Sequence, residues 1–460
     1  MAYMRRPLSV LLVLPLLLAG ACSTTGSPSG QSGGIQSGQA HSGPAVPFSN
    51  WSTYHRTNSR HGHTTPAAHL PLRPSWQRHL RGAVYGEPLV VGKTLIVATE
   101  KNWVYGLGAT TGARLWRRHL GPAQPLSDLP CGDIDPLGIT GTPAYDAATG
   151  SVFAVAETTG GHHTLWALAA ATGHRRWHRR LDVLPNRNRS AEQQRSALLL
   201  SKGRVITAFG GLAGDCDNYV GYLTSVATSG RGSISTYAVP TSREGGIWAP
   251  PGPVTGANGN VYVATGNGAE KQGRWDKSDS VTELTPVGMR RVAVFAPSTW
   301  PQDNADDLDL GSSSPVPVNG RIVIAGKRGT VYLLKPSLGG VGAEVSSLDG
   351  CTAFGGAALS GNTVLMPCKG QDAIRAMSVG RSSLRWSWTA DGVYASPVIA
   401  GHRVYAADEG SGDLVVLGLG SGLVLQRIHA GSLTHFPSEV VDGGRVFVPT
   451  LDGITAFQGS

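Results

Sequence analysis

The side chains whose types and spacing bear most directly on chemistry are five cysteines and one pair of histidines. Cys22 stands apart, directly behind an apolar run. Cys131, Cys216, Cys351 and Cys368 remain, and an even number of cysteines in an exported chain reads as two disulfides. No Cys-x-x-Cys-His run occurs, so an attached c-type haem is not expected. No two cysteines lie close enough in sequence to form a zinc ligand pair. His162-His163 are the other candidate ligands, but adjacent residues on a strand or turn point apart, and no metal is expected there.

The first residues read as an address. Arg5 and Arg6 precede an apolar stretch from Leu8 to Leu18 that is too short for an ordinary transmembrane helix. Ala19-Gly20-Ala21 then leads into Cys22, and the pattern resembles a bacterial lipoprotein signal, which implies that Cys22 is the lipidated N-terminus of the mature chain. Arg5-Arg6 also hints at twin-arginine export, although Pro7 and Ser9 fit that signal poorly. Residues 22–47 are rich in Ser and Gly and cannot pack a core, so they read as a flexible tether. The expected organisation is a signal at 1–21, a tether at 22–47 and a folded body at 48–460, extracytoplasmic and held to a membrane by its lipid.

Only 15% of the 460 residues are charged, and 63 are glycine, which argues against a helical bundle. A hydrophobic content of 40% with 11 Trp argues against a disordered chain. The balance of 39 Lys+Arg against 30 Asp+Glu gives a mild +9. The densest basic clusters are pairs such as Arg117-Arg118 and Arg179-Arg180. No nucleic-acid partner is expected, although the basicity suits an anionic surface nearby.

The elements that must position any site repeat along the body. Val104-Tyr105-Gly106-Leu107 alternates, Thr111-Gly112 turns, and Arg114-Leu115-Trp116 alternates again. Thr164-Leu165-Trp166-Ala167-Leu168, Thr172-Gly173 and Arg176-Trp177 repeat the phrase, with Trp again four residues after the glycine. Related versions occur at Val331-Tyr332-Leu333-Leu334, Leu384-Arg385-Trp386 and Leu414-Val415-Val416-Leu417. Short period-2 strands separated by glycine turns predict antiparallel sheet, and no helical periodicity is evident beyond the signal. Repeated four-stranded units predict an all-β, eight-bladed propeller, with blades beginning near Gly86, Gly141, Ser196, Gly252, Ser314, Gly356, Ser396 and Pro437. The last blade is one strand short, and Pro74–Leu80 has the Trp-bearing character of the missing outer strand. A closed monomeric ring is expected.

In such a ring, loops between blades and loops joining second to third strands share one face. Cys131 and Cys351 fall in the first kind of loop. Cys216 falls in the second kind, and Cys368 ends a second strand. The pairs predicted are Cys131–Cys216 and Cys351–Cys368.

The phrase Val-Tyr-x-Leu-x-x-x-Thr-Gly-x-x-x-Trp resembles the repeat of pyrroloquinoline quinone (PQQ) propellers, and the resemblance covers nearly the whole chain from about residue 70. Cys131-Gly132-Asp133-Ile134-Asp135-Pro136-Leu137-Gly138 resembles the polyvinyl-alcohol-dehydrogenase-like branch and its lipoprotein relatives. The resemblance implies a site for PQQ with Ca²⁺ at the ring centre. Gly246-Ile247-Trp248 resembles the aromatic floor, and Thr265-Gly266-Asn267 the segment whose Asn ligates the metal. Asp306-Asp307-Leu308-Asp309 resembles the segment that carries the catalytic base, which places Asp307 in that role. Gly326-Lys327-Arg328-Gly329 resembles the segment whose cation, here Lys327, contacts the quinone.

Two positions depart from that pattern. Cys216 stands where the family has its calcium Glu, with Asp215 and Asp217 each shifted by one, and Val220 stands where it has an Arg. The vicinal Cys-Cys that caps the cofactor in some members is absent. A lost carboxylate leaves a hard cation short of oxygen ligands. The leading reading is therefore a lipid-anchored scaffold that holds a protein, glycan or small ligand. The alternative is a PQQ- and Ca²⁺-dependent alcohol or polymer dehydrogenase that passes electrons to a separate acceptor.

Overall fold

The computed structural model describes residues 46–460. The signal at 1–21, Cys22 and the tether as far as residue 45 lie outside the described residues.

Short alternating runs cannot bury both faces alone, so they associate as four-stranded sheets. The first is Leu89–Val91, Thr94–Ala98, Trp103–Gly108 and Arg114–His119, paired antiparallel in sequence order. Seven more sheets repeat this arrangement, so the ring has eight blades. Their innermost strands are Ala144–Asp146, Leu199–Ser201, Val254–Thr255, Val316–Val318, Ala358–Ser360, Val398–Ala400 and Val440–Asp442. In the eighth blade, Leu72–His79 pairs antiparallel with Gly453–Gly459, Leu72 opposite Gly459 and His79 opposite Gly453.

The recurring Trp and Gly belong together, but across blades. Trp116, on the outer strand of blade one, donates Nε1–H to Ala170 O of blade two (3.1 Å), and its ring lies over Gly173. Trp177 does the same to Thr228 O (3.2 Å) and Gly230 of blade three. Trp76 docks from blade eight on Ala109 O (3.2 Å) and Gly112 of blade one. Each glycine has positive φ, near +67° at Gly112 and Gly173, and a Cβ there would collide with the indole.

The residues from Ser49 to Thr64 make a full circuit against the inner strands. Ser49 N–H donates to Asp442 of blade eight, Trp51 exchanges backbone bonds with Val90 of blade one, and Tyr145 N–H of blade two donates to Ser52 O. Asn58 bonds Leu200 O of blade three and accepts from Thr255 N–H of blade four. His61 meets Pro317 O of blade five and Leu359 N–H of blade six, and Ile399 N–H of blade seven reaches Gly62 O. A segment that touches all eight inner strands runs round the axis. It buries Trp51, Tyr54, His55 and Arg60 there.

One short element is added to the all-β expectation and one expectation is corrected. A short α-helix, Trp300–Ala305, begins behind Thr299; at six residues it is too brief for its periodicity to show in sequence. His162 and His163 do not point apart. Their Nδ1 atoms lie 3.2 Å from the two oxygens of Asp182, one each, because Asp182 follows the outer strand Arg175–Arg180 and faces the start of His162–Ala169.

Candidate functional site at the disulfide-bearing end of the ring

Antiparallel strands put the turns between second and third strands at one end of the ring, together with the connections between blades. Both disulfides lie at that end. Cys131 bonds Cys216 with a Cα separation of 6.2 Å, and Cys351 bonds Cys368 at 4.8 Å, the pairings read from the sequence.

The same geometry brings the four sequence-predicted site residues together. Trp248 lies in the connection leading to blade four, and Asn267 follows that blade's second strand, Val261–Ala264. Asp307 lies beyond the short helix in the next connection, and Lys327 lies in the turn after Arg321–Ala325 of blade five. Asp307 holds a left-handed backbone, φ +57°, which Asp tolerates better than most side chains. Asn267 Nδ2 donates to Asp307 Oδ1 at 2.7 Å. Lys327 Nζ donates to the same oxygen at 2.8 Å and pairs with Asp309 Oδ2 at 2.7 Å. Asp309 is buried and also accepts Asn267 N–H at 2.7 Å, an approach that requires Gly266, where a side chain would strike the carboxylate. Lys327 Nζ sits 5.7 Å from the Trp248 ring centroid. Burial opposes the charge on Lys327, but Asp309 and Asp307 outweigh it and its pKa is raised.

A cavity of about 180 Å³ opens beside this cluster, lined by Asp215, Glu244, Trp248, Asn267 and Asp307 among others. Burial raises the carboxyl pKa of Asp215; the Tyr219 hydroxyl bonded to it opposes that, and Asp309 and Asp307 add to it. Asp217 is turned away to Asn188 Nδ2.

These residues do not fit Ca²⁺. That ion takes six to eight oxygens, yet among the described residues no three His, Cys, Asp or Glu side chains gather where they could hold one. Cys216, in the place of the family's Glu, is committed to its disulfide. The ammonium of Lys327 is already paired with both Asp307 and Asp309. Asn267 Oδ1 is buried without a hydrogen-bond partner.

The sequence reading missed an aromatic and cationic surround. Phe354 and Phe436 each lie 6.4 Å from Trp248 between centroids, and they are parallel to one another within 7°. Arg195 and Lys369 stand 4.9 Å and 4.3 Å from the Phe436 centroid. Trp248, Phe354 and Phe436 share a signal that could have found them. Each falls within a few residues before an inner strand, where the connections converge on the axis.

A family model described as outer membrane protein assembly factor BamB matches residues 73–280. In structure, the quinohemoprotein alcohol dehydrogenase from Comamonas testosteroni aligns with TM-score 0.69 at 17% identity, over 89% of this chain and 81% of that one. BamB from Moraxella catarrhalis aligns with TM-score 0.58 at 16% identity, over 84% of this chain and 97% of its own. The chain is a propeller of PQQ-like repeats. No curated protein matches it in sequence. At these identities the solved structures establish the PQQ-like propeller's fold and leave its activity to be argued from its own residues. Two disulfides in a PQQ-like propeller suit an extracytoplasmic protein.

Proposed function

We propose that the protein is a lipid-anchored, extracytoplasmic scaffold that binds a ligand or protein partner at the Trp248 end of the ring. The observation that carries this reading is the Lys327 ammonium held between Asp307 and Asp309, in a site that gathers no ligand set for a divalent cation. With Trp248, Phe354 and Phe436 gathered there and Lys327, Arg195 and Lys369 near their rings, the end of the channel suits a flat group that can stack on them. The anchor is Cys22, and Cys22→Ala is expected to release the protein from membranes.

One observation favours a second reading, a PQQ-dependent dehydrogenase with a separate electron acceptor. Trp248, Asn267, Asp307 and Lys327 meet around one cavity. Titrating the purified protein with PQQ, with and without Ca²⁺, and following tryptophan fluorescence and dye reduction separates the two. The scaffold reading expects no calcium-dependent tightening and no dye reduction with alcohols. Tight calcium-dependent binding, with turnover lost in Asp307→Asn, would overturn it.

A further inference from the structure

The arginine pairs that look scattered in sequence are gathered by the ring. The outer strands of blades eight, one and two read LRPSWQRH, RLWRRH and RRWHRR, with two, three and four arginines and no carboxylate. The outer strands of blades three to seven read STYA, RVAVFA, SSLD, LRWSWTAD and VLQRIH, with at most one arginine each. The three basic strands are neighbours, joined through Trp76 on blade one and Trp116 on blade two. Most of their arginines are exposed, and among them only Arg180 forms an ion pair, with Asp182. A mild net charge is thus concentrated over three adjoining blades.

Apolar side chains stand beside this wall. Leu115 is 59% exposed within the arginine strand of blade one. Leu423, just before the outer strand of blade seven, and Leu425 within it are 68% and 51% exposed. That strand is joined to blade eight by Gln426, which exchanges hydrogen bonds with the backbone of Leu72 at 2.7 and 2.8 Å. Leu423, Arg114 and Arg175 follow turns between third and fourth strands, so they lie at the end of the ring opposite the disulfides. Val46 and Phe48, where the described chain begins, pack on Gly444 and Gly443 of blade eight at that same end.

We propose that this wall docks on the anionic phospholipid surface of a bilayer. Arginines with few acidic partners attract anionic headgroups. Exposed leucines among them suit the boundary between headgroups and acyl chains, which a nucleic acid or a free polyanion lacks.

The test is cosedimentation of residues 46–460, which contain every blade and the strand completing the eighth, with phosphatidylglycerol–phosphatidylcholine vesicles and with phosphatidylcholine vesicles alone. The body carries no lipid, so the result is independent of Cys22 and of the ligand at the other end. Binding is expected to the anionic vesicles only and to weaken with salt. Replacing Arg114, Arg117, Arg175 and Arg176 by Glu is expected to weaken it about tenfold or more. Replacing the same four by Gln, with thermal unfolding recorded for both variants, covers misfolding. Leu423→Ser with Leu425→Ser is expected to weaken binding at every salt concentration. Arg381→Glu with Arg385→Glu on blade six is expected to leave it unchanged. Equal binding to neutral vesicles, no binding at low salt, binding retained in the Gln variant, or a free polyanion bound in preference to vesicles would each overturn the proposal.

Discussion

Lys327 donates to two carboxylates of unequal exposure, and the difference decides what each is worth. The Asp309 side chain is 9% exposed and the Asp307 side chain 67%. Removing the cation strands a buried carboxylate, whereas neutralising the exposed one removes a solvated charge. Lys327→Met is expected to cost about 2 kcal/mol of stability, and Asp307→Asn to change it by less than about 0.5 kcal/mol. Urea unfolding of both variants checks this, and equal costs would contradict the assignment of Asp309 as the main partner. Trp248, Asn267, Asp307 and Lys327 were singled out because their segments resemble the quinoprotein motifs, and the fold brings the four together. Phe354, Phe436, Arg195 and Lys369 were not. Their meeting depends on ring closure, which brings residues of blades three, six and eight to one axis; the place just before an inner strand marks Phe354 and Phe436 as converging there, but no local pattern says which side chains meet.

Strand order, blade count and both disulfide pairings were readable from turns and alternation, because each blade is a local unit. The circuit of Ser49–Thr64 was not, since its bonds run to inner strands spread over the whole body and impose no periodicity on the segment. The Trp–Gly phrase was read as a repeat within a blade, and its cause lies between blades. Gly173 and Gly203 separate the two effects a glycine has there. Both have φ near +70°, but an added Cβ meets the Trp116 ring at Gly173 and open space at Gly203. Gly203→Ala is expected to cost about 1 kcal/mol from the left-handed backbone alone. Gly173→Ala is expected to cost about 2 kcal/mol more by pushing the indole from its seat. Matching urea midpoints for the two variants would show that the docking contributes little. The pair Cys131–Cys216 closes a separation of 85 residues between blades and Cys351–Cys368 one of 17. Loss of the longer closure by Cys131→Ala with Cys216→Ala is expected to destabilise by about 2–5 kcal/mol.

At the scale of the whole molecule, folding encloses ionisable groups along the axis and between blades, and their signs fix how stability varies with pH. Burial pushes the Glu87 carboxyl up to about 8, against opposing hydrogen bonds from Ser438, Trp51 and His55 N–H. Burial likewise pushes Glu100 up to about 8, with Gly138 N–H opposing. Both hold a proton in the folded ring above pH 4.5, where the unfolded chain has released it, so their contribution is lost as pH rises from 4.5 to 8. His163 is buried between Glu157 and Asp182; burial opposes its charge, but those carboxylates carry it up to about 10, and its contribution is lost from pH 6.5 to 10. His55 runs the other way. Burial holds it near 3, so the unfolded chain binds the extra proton below 6.5 and stability falls on acidification. Between about pH 4.5 and 6.5 the two falling carboxyl contributions outweigh the one rising histidine contribution, so among these groups stability is expected to be greatest near pH 4.5, and above 6.5 only the falling terms remain. Each group then contributes a slope on the order of 1 kcal/mol per pH unit. Glu87→Gln removes one of them, so its melting temperature is expected to fall less than that of the unaltered protein between pH 6.5 and 8. Scanning calorimetry at several pH values reads the difference directly. Parallel profiles across that window would mean that Glu87 is ionised at the centre of the folded ring, with Arg60 compensating its charge.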